Sequence, residues 1–246
     1  MAPKIAKKRA DLLLAERGLA ESREQAQALI MEGLVYGPAG RVLKPGTSLA
    51  VATPLEVRGR LPFVSRGGLK LAHALDTFGL GVDGLVALDV GASTGGFTDC
   101  LLQRGASRVY AVDVGFGQLH YRLRKDTRVT VIEKCNARYP FELPEPVDIL
   151  TIDVSFISLT LVLPSVMSHL QPGSSAVTLV KPQFEARREE VGRRGVIKDP
   201  EVHARVLEKI IGWTDEQGIE VLGQCESPIL GDAGNKEFFL LLRKPE

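Results

Sequence analysis

The chain of 246 residues has few of the side chains that build disulfide frameworks or metal sites. Its three cysteines, Cys100, Cys135 and Cys225, are far apart and form no C-x-x-C pair. This argues against a disulfide scaffold and against a structural zinc site, and it is typical of a reducing compartment. The four histidines show no metal-ligand spacing. We therefore expect a cytoplasmic protein that works without a metal ion.

Long hydrophobic runs and an excess of one charge are also missing. The basic amino-terminal stretch contains only the short run LLLA, which cannot form a signal-peptide core, and no run could cross a bilayer. The 31 Lys and Arg nearly balance the 30 Asp and Glu. Residues 1–64, however, carry ten basic and six acidic side chains. This asymmetry indicates that contact with a polyanion begins in the amino-terminal part.

Two blocks with different patterns make up the chain. In residues 1–58, apolar spacing predicts two short helices followed by short strands, and residues 59–64 fit a linker. Residues 65–246 alternate strand and helix patterns, which predicts an α/β fold with a doubly wound, mostly parallel sheet. The predicted strands are LVALDV, RVYAVDV, VTVI, VDILTID, AVTLVK, IEVLGQC and EFFLLLR, and the predicted helices span 96–104, 158–169 and 200–217.

The loop DVGASTGGFTD, from Asp89 to Asp99, follows the first strand of the second block. A glycine-rich turn lets the backbone approach a ligand, and the helix behind it favours negative charge. The dinucleotide fingerprint G-x-G-x-x-G fits poorly because Ser93 stands at the middle glycine, and the absence of G-K-[ST] excludes a Walker A loop. S-adenosylmethionine, a nucleotide, a dinucleotide and a simple packing turn all stay open at this point.

Polar residues also follow the next three strands. Asp113 ends the second strand, where a carboxylate can accept hydrogen bonds from two ribose hydroxyls of a nucleotide or of S-adenosylmethionine. Asn136 follows the third strand and could contact an adenine edge or simply form a turn. Asp153 ends the fourth strand and could face the same crevice or cap the next helix. Taken singly, none of the three decides the function.

Four ionisable residues make a more specific pattern. Lys70 lies on a predicted helix before the first strand, Asp153 and Lys181 end the fourth and fifth strands, and Glu237 opens the last. Sheet topology brings such strand edges to one crevice. A single lysine there is usually a solvated strand end, because lysine is rarely buried. Two lysines interleaved with two acids favour a catalytic site.

These residues carry a resemblance to a known family. The second block resembles the FtsJ-type ribosomal-RNA 2′-O-methyltransferases, whose Lys–Asp–Lys–Glu tetrad is matched in order and in strand context. The first block resembles the S-four-type RNA-binding domain, whose hallmark arginines correspond to Arg9 and Arg23. Together with SRGGLKL, DVGFGQL, DVSFISL and VKPQFE, the two blocks resemble the TlyA family along nearly the whole chain.

The resemblance implies a Rossmann-like methyltransferase sheet with a small α+β RNA-binding domain at the amino terminus. It implies 2′-O-methylation of a cytidine ribose in ribosomal RNA, of the large subunit or of both subunits, with the short amino-terminal lead favouring the former. The implied catalytic residues are Lys70, Asp153, Lys181 and Glu237, with Lys181 as the base or as the group that orients the hydroxyl. The implied cofactor, S-adenosylmethionine, would contact Asp89, Gly91, Ala92, Ser93, Gly95, Gly96, Phe97, Asp113, Asn136 and Asp153. The RNA or the ribosomal subunit would contact Lys4, Lys7, Lys8, Arg9, Arg17, Arg23 and Arg66.

Other functions fit the sequence less well. An RNA-binding protein with an inactive methyltransferase fold would not need the tetrad. An NAD-linked oxidoreductase leaves the RNA-binding block unused. A carbon-5 base methyltransferase needs a reactive cysteine in the crevice, and an exocyclic-amine enzyme usually has a proline pair where this chain has DVSF. A hemolysin role, which is attached to some members of the family, finds no membrane-active segment.

Overall fold

A computed structural model describes residues 6–31, 33–59, 62–231 and 234–246 of the chain. The chain divides into two compact units, Met1–Arg66 and Gly67–Glu246. Each unit has buried hydrophobic residues of its own that form a core.

The first unit combines two short helices with small antiparallel sheets. Its elements are β1 (Lys7–Arg9), α1 (Ala10–Glu16), α2 (Arg23–Met31), β2 (Val35–Gly37), β3 (Gly40–Arg41), β4 (Ser48–Ala50) and β5 (Glu56–Val57). β1 pairs with β4, and β2 lies between β3 and β5. The Ser22 hydroxyl accepts a hydrogen bond from the Gln25 amide (3.1 Å), as an N-cap does, and Leu14 and Ile30 are buried between the helices and strands. The two predicted helices are confirmed.

The second unit is built on a sheet of seven strands. They are β6 (Val86–Val90), β7 (Arg108–Val112), β8 (Val129–Ile132), β9 (Val147–Ile152), β10 (Leu170–Val180), β11 (Glu220–Glu226) and β12 (Phe238–Arg243). Their spatial order is β11-β12-β10-β9-β6-β7-β8. All neighbours from β10 to β8 are parallel, whereas β12 runs antiparallel to both β10 and β11. The mostly parallel sheet predicted from the sequence is confirmed.

Six helices accompany this sheet within the described residues. They are α3 (Gly67–Phe78), α4 (Gly96–Gln103), α5 (Tyr121–Arg124), α6 (Leu159–Val166), α7 (Pro182–Glu185) and α8 (Pro200–Glu216). The predicted helix over 158–169 ends at Val166 and continues as a tighter 3₁₀ turn to His169. The single-turn helices α5 and α7 were not predicted, because four residues are too few to show a periodicity.

Strand order places a crevice at one edge of the sheet. The chain runs outward from β6 to β7 and β8 and then returns to β9 on the other side of β6. In such sheets ligands bind beside the carboxyl ends of the strands, where the order reverses. Since β12 is antiparallel, it is the beginning of β12 that lies at this same edge. The loops after β6, β7, β9 and β10 and the residue before β12 therefore surround one site.

Candidate active site

Two adjoining cavities lie at the carboxyl edge of the sheet in the second unit. The first cavity, of about 500 Å³, extends over the loops after β6, β7 and β8. The second cavity, of about 520 Å³, extends toward α3, the segment after β10 and the start of β12. Both are lined by Gly91, Ser93, Asp153, Ser155 and Phe156, so the two cavities form one continuous crevice.

The loop after β6 reaches this crevice through an unusual backbone. Gly91 has φ of +84°, and a side chain there would come within 2.5 Å of the Asp153 carbonyl oxygen. Only glycine combines this conformation with this approach. The Ser93 amide donates to Asp113 Oδ2 (2.8 Å), and the Gly115 amide donates to Oδ1 of the same carboxylate (2.6 Å). Asp113 therefore ties the loops after β6 and β7 together at the rim of the first cavity.

The residues predicted to bind a cofactor fall into two groups. Gly91, Ser93, Asp113, Asn136 and Asp153 line the first cavity. The Asn136 side chain also accepts a hydrogen bond from the Arg138 amide (3.1 Å), so the predicted turn and the predicted lining position coexist. Five further residues are not among those lining either cavity: Asp89, Ala92, Gly95, Gly96 and Phe97.

Asp89 lies beneath the loop. Its carboxylate is fully buried and accepts hydrogen bonds from Thr98 (2.6 Å) and Thr151 (3.2 Å). Burial raises the pKa of this carboxyl to about 7. Phe97 is also buried and stacks on Phe239 with ring centroids 6.2 Å apart. These two residues support the loop from behind, and the structure places no side chain of theirs in the crevice.

Lys70 and Glu237 form a buried ion pair at the far side of the second cavity. Lys70 Nζ donates to Glu237 Oε2 (2.6 Å), and the two side chains are 10% and 2% exposed. Gly231 leaves room for this carboxylate, because a side chain at that position would overlap Glu237 Oε1. The pair joins the helix before β6 to the start of β12.

Lys181 and Asp153 form the second pair. Lys181 Nζ lies 2.7 Å from Asp153 Oδ1, a close ion pair without hydrogen-bond alignment. The same amine donates to the Ser155 hydroxyl (2.7 Å). Lys70, Asp153, Lys181 and Glu237 all line the second cavity. The structure thus brings the four predicted residues to one cavity, where each lysine has its own carboxylate.

Strained backbone is concentrated around the crevice. Four non-glycine residues among those described have left-handed φ: Ser93, Lys134, Phe156 and Arg194. Ser93, Phe156 and Arg194 line the cavities, and Lys134 directly precedes lining residues. Strain of this kind persists where the surrounding structure enforces it, and it clusters at functional sites.

Comparison with known proteins agrees with this geometry. Residues 63–244 match the model of the FtsJ-like methyltransferases. This chain belongs to the FtsJ-like methyltransferase family. That membership confirms the family and the Rossmann-like fold predicted from the tetrad and the loop. The identity of the first unit as an S-four-type domain stays a prediction.

Several relatives match this FtsJ-like chain over nearly its whole length. YqxC of Bacillus subtilis, to which an rRNA methyltransferase activity is ascribed, is 51% identical over 97% of this chain and 86% of its own. The 16S/23S rRNA (cytidine-2′-O)-methyltransferase TlyA of Mycobacterium tuberculosis is 44% identical over 96% of this chain and 89% of its own. A solved structure from Streptococcus thermophilus, of a protein to which a hemolysin role is ascribed, is 44% identical. It has a TM-score of 0.78 over 99% of this chain and 90% of its own.

The predicted RNA-binding arginines of the FtsJ-like chain's first unit are organised by a buried acid. The Asp11 carboxylate is fully buried and accepts hydrogen bonds from Arg9 (2.8 and 2.9 Å), Arg23 (3.1 Å) and Gln27 (2.9 Å). The hydrogen bonds from Arg9 lower the pKa of Asp11 far below its ordinary value. The side chains of Arg9 and Arg23 nevertheless stay 46% and 48% exposed. Asp11 therefore holds both guanidinium groups side by side at the surface.

The other predicted RNA contacts are placed less distinctively. Lys7 and Lys8 are exposed on β1, and Lys8 pairs with Glu16 (2.8 Å). Arg17 donates to the backbone of Val51 and Thr53. Arg66 is the last residue of the first unit. Lys4 lies outside the described residues.

A basic surface in the second unit was missed by the sequence analysis. Residues 114–139 contain six Arg or Lys and two acids, and both acids are already paired, Glu133 with Arg124 and Asp126 with Arg128. Three exposed aromatic rings make cation–π contacts. Lys134 lies 4.7 Å from the ring centroid of Phe116, Lys125 lies 5.8 Å from that of Tyr121, and Arg138 lies 5.7 Å from that of Tyr139. We call the exposed basic and aromatic side chains of residues 114–139 the basic–aromatic surface. A count of charge by position would have found the basic excess, but not the ring contacts.

Two further findings concern metal ions and membranes. Over the described ranges, no group of three or more His, Cys, Asp or Glu is arranged to hold a metal ion. Within the same ranges, no helix combines the length and the apolar composition that crossing a bilayer requires.

Proposed function

We propose that this chain transfers a methyl group from S-adenosylmethionine to the 2′-hydroxyl of a cytidine ribose in ribosomal RNA. The observation that carries this proposal is the pair of lysine–carboxylate contacts facing one cavity at the carboxyl edge of an FtsJ-like sheet. The relatives support the substrate, since TlyA is named as an rRNA (cytidine-2′-O)-methyltransferase. A ribosomal substrate would place the protein in the cytoplasm.

The first cavity fits the proposed cofactor. Gly91 has no side chain that would block the turn. The Asp113 carboxylate accepts hydrogen bonds from two backbone amides and still has free lone pairs for hydrogen bonds from ribose hydroxyls. Gly91, Ser93, Asp113, Asn136 and Asp153 would hold the group. When bound, S-adenosylmethionine supplies a methyl group activated by a sulfonium, so the protein has to position and deprotonate the acceptor.

The second cavity fits the acceptor. Asp153 and Ser155 occupy two directions around the Lys181 amine, which leaves one direction for a substrate hydroxyl. Lys181 orients the 2′-hydroxyl. Only its neutral amine, with its N–H groups toward Asp153 and Ser155, has the lone pair that takes the hydroxyl proton as the oxygen attacks. The buried Lys70–Glu237 pair lines the same cavity, and its fixed position would help to set the geometry of attack before the RNA arrives.

RNA would be held by both units. Arg9 and Arg23 present paired guanidinium groups, which suit phosphate oxygens. The basic–aromatic surface borders the first cavity through Val114, Gln118 and Arg138. Exposed rings next to cations are the combination that binds unpaired bases and phosphates.

Transfer of a tritiated methyl group onto purified large and small ribosomal subunits tests the proposal. We expect label at one cytidine in each modified subunit, at a ribose that resists alkaline cleavage, either in the large subunit alone or in both subunits. Lys181→Ala should abolish transfer while cofactor affinity stays near normal. Lys236→Ala is the matched control, since Lys236 is exposed, next to Glu237 and paired with Glu226. Binding of RNA without binding of S-adenosylmethionine would instead identify an inactive methyltransferase fold.

A further inference from the structure

Residues 181–185, which include the short helix α7, contact the loop between β9 and α6 through three side chains. Lys181, just before α7, contacts Asp153 and Ser155. The ring of Phe184 packs against that of Phe156 at an interplanar angle of 47°, with centroids 4.8 Å apart. These contacts join the two segments that carry half of the proposed catalytic tetrad.

Glu185, at the end of α7, makes the most buried of these contacts. Its side chain is 2% exposed. Oε2 accepts a hydrogen bond from the Ser158 hydroxyl (2.6 Å), and Oε1 accepts one from the Leu159 amide (2.7 Å). Lys209 lies 3.8 Å from the carboxylate and donates to the Glu185 carbonyl oxygen (2.9 Å). The carboxylate therefore binds the start of α6 on one side and α8 on the other.

The place of these hydrogen bonds matters because the loop before them is strained. Phe156 has φ of +64°, although its side chain is 88% exposed and is not held by burial. A conformation of this kind needs anchors on both sides. Backbone pairing of Asp153 with Val90 (2.9 Å) provides the first anchor, and the Glu185 carboxylate bonded at Ser158 and Leu159 provides the second.

We propose that Glu185 is a positioning residue, which locks the loop carrying Asp153, Ser155 and Phe156 onto the segment carrying Lys181. This inference rests on the proposed methyl transfer for its kinetic consequence, but the lock is a property of the fold. Glu185 itself does not line either cavity. It acts on the acceptor side by setting the distance between Lys181 and the Asp153 loop.

Replacement of the carboxylate should uncouple cofactor binding from turnover. Of the residues proposed to hold the cofactor, Gly91, Ser93, Asp113 and Asn136 lie outside the loop that Glu185 holds, and Asp153 alone lies within it. We expect Glu185→Ala to lower kcat by about 100-fold, as misplacement by about 1 Å does, with a much smaller change in affinity for S-adenosylmethionine. Glu185→Gln should recover most of the rate, because its amide oxygen can accept from Leu159 and its NH₂ can donate to the Ser158 hydroxyl.

Hydrogen–deuterium exchange provides the readout that is independent of activity. In Glu185→Ala, deuterium uptake should rise in peptides covering residues 153–163 and stay unchanged in peptides covering 86–103. Ser158→Ala, which removes one donor, is the milder second variant should Glu185→Ala fold poorly. Glu189→Ala is the matched control, since Glu189 is exposed and four residues further along the chain.

The outcomes separate the two proposals. Unchanged exchange at 153–163 in folded Glu185→Ala, or equal losses in kcat and cofactor affinity, would overturn the lock. A wild-type protein that methylates neither ribosomal subunit would overturn the proposed function, whereas the exchange and cofactor-binding measurements would still decide the role of Glu185.

Discussion

The amine of Lys70 and the carboxylate of Glu237 lie 2.6 Å apart, although 167 positions separate the two residues in the chain. Both side chains are buried, so each charge depends on the other for compensation. Both residues line the second cavity. The contact also makes the site sensitive to the loss of either partner.

Removal of one member of this pair should destabilise the second unit. Lys70→Met leaves the Glu237 carboxylate buried without its cation, and we expect a loss of about 3–5 kcal/mol in the free energy of unfolding. The double variant Lys70→Met/Glu237→Leu should recover much of that stability, because it removes both charges, yet transfer no methyl group. Urea denaturation and the methyl-transfer assay measure the two effects. A single variant as stable as wild type would show that the pair is not a buried interaction in solution.

Asp89 should make the stability of the second unit depend on pH. Because burial raises the pKa of its carboxyl to about 7, the folded state keeps a proton that the unfolded chain releases near pH 4. This contribution to stability is complete below pH 4 and is lost as the pH rises to about 7. Asp89→Asn, which cannot titrate, should therefore gain stability relative to wild type between pH 4 and 7. Denaturation midpoints at pH 4.5 and 7.5 test this, with Asp215→Asn as the exposed control.

Asp11 should have the opposite pH dependence in the first unit. The hydrogen bonds from Arg9 hold its pKa far below the ordinary range, so its stabilising effect is present above about pH 4 and is lost as the pH falls toward the lowered value. Asp11→Ala should be clearly less stable than wild type at pH 7, and the difference should shrink in acid. It should also weaken RNA binding, although Arg9 and Arg23 are both still present. Glu16→Ala, which breaks only the exposed pair with Lys8, serves as the comparison, and equal RNA affinities for the two variants would contradict the role given to Asp11.

The basic–aromatic surface predicts two distinguishable losses of RNA affinity. Lys134→Ala should reduce the slope of log K against log salt by about one, because it removes one phosphate contact. Phe116→Ala should weaken binding by about 1–3 kcal/mol, as the loss of a stacked base does, with little change in that slope. Fluorescence anisotropy with an rRNA fragment over a salt series measures both. If neither variant differs from Lys236→Ala, RNA does not contact this surface.

Much of this architecture could be predicted because its signals are local. Short apolar runs, most of them with β-branched residues, marked every strand of the large sheet, and glycines marked the turn at Gly91. The direction of β12 was not visible, since an apolar run has the same composition in either direction, and yet this direction decides that Glu237 lies in the crevice.

The contacts that organise the site depend on residues far apart in sequence. Periodicity in the sequence cannot reveal the hydrogen bond between Lys181 and Ser155 or the one between Ser158 and Glu185. Asp89 belongs to the loop motif and was therefore predicted to contact the cofactor. Its side chain instead lies under the loop, where the hydroxyls of two threonines donate hydrogen bonds to it. A sequence pattern indicates which residues gather at a sheet edge, but not which face of the loop each side chain takes.

The insertion of β12 between β10 and β11 has a consequence for synthesis on the ribosome. Both flanking strands are made before β12, so the sheet has to keep a gap until residues 238–243 emerge. A nascent or truncated polypeptide that stops earlier would have the loops after β6 and β7, but it would leave Lys70 without its carboxylate and two strand edges open to aggregation. The proposed methylating centre would thus be completed last, and chains that lack β12 would be inactive.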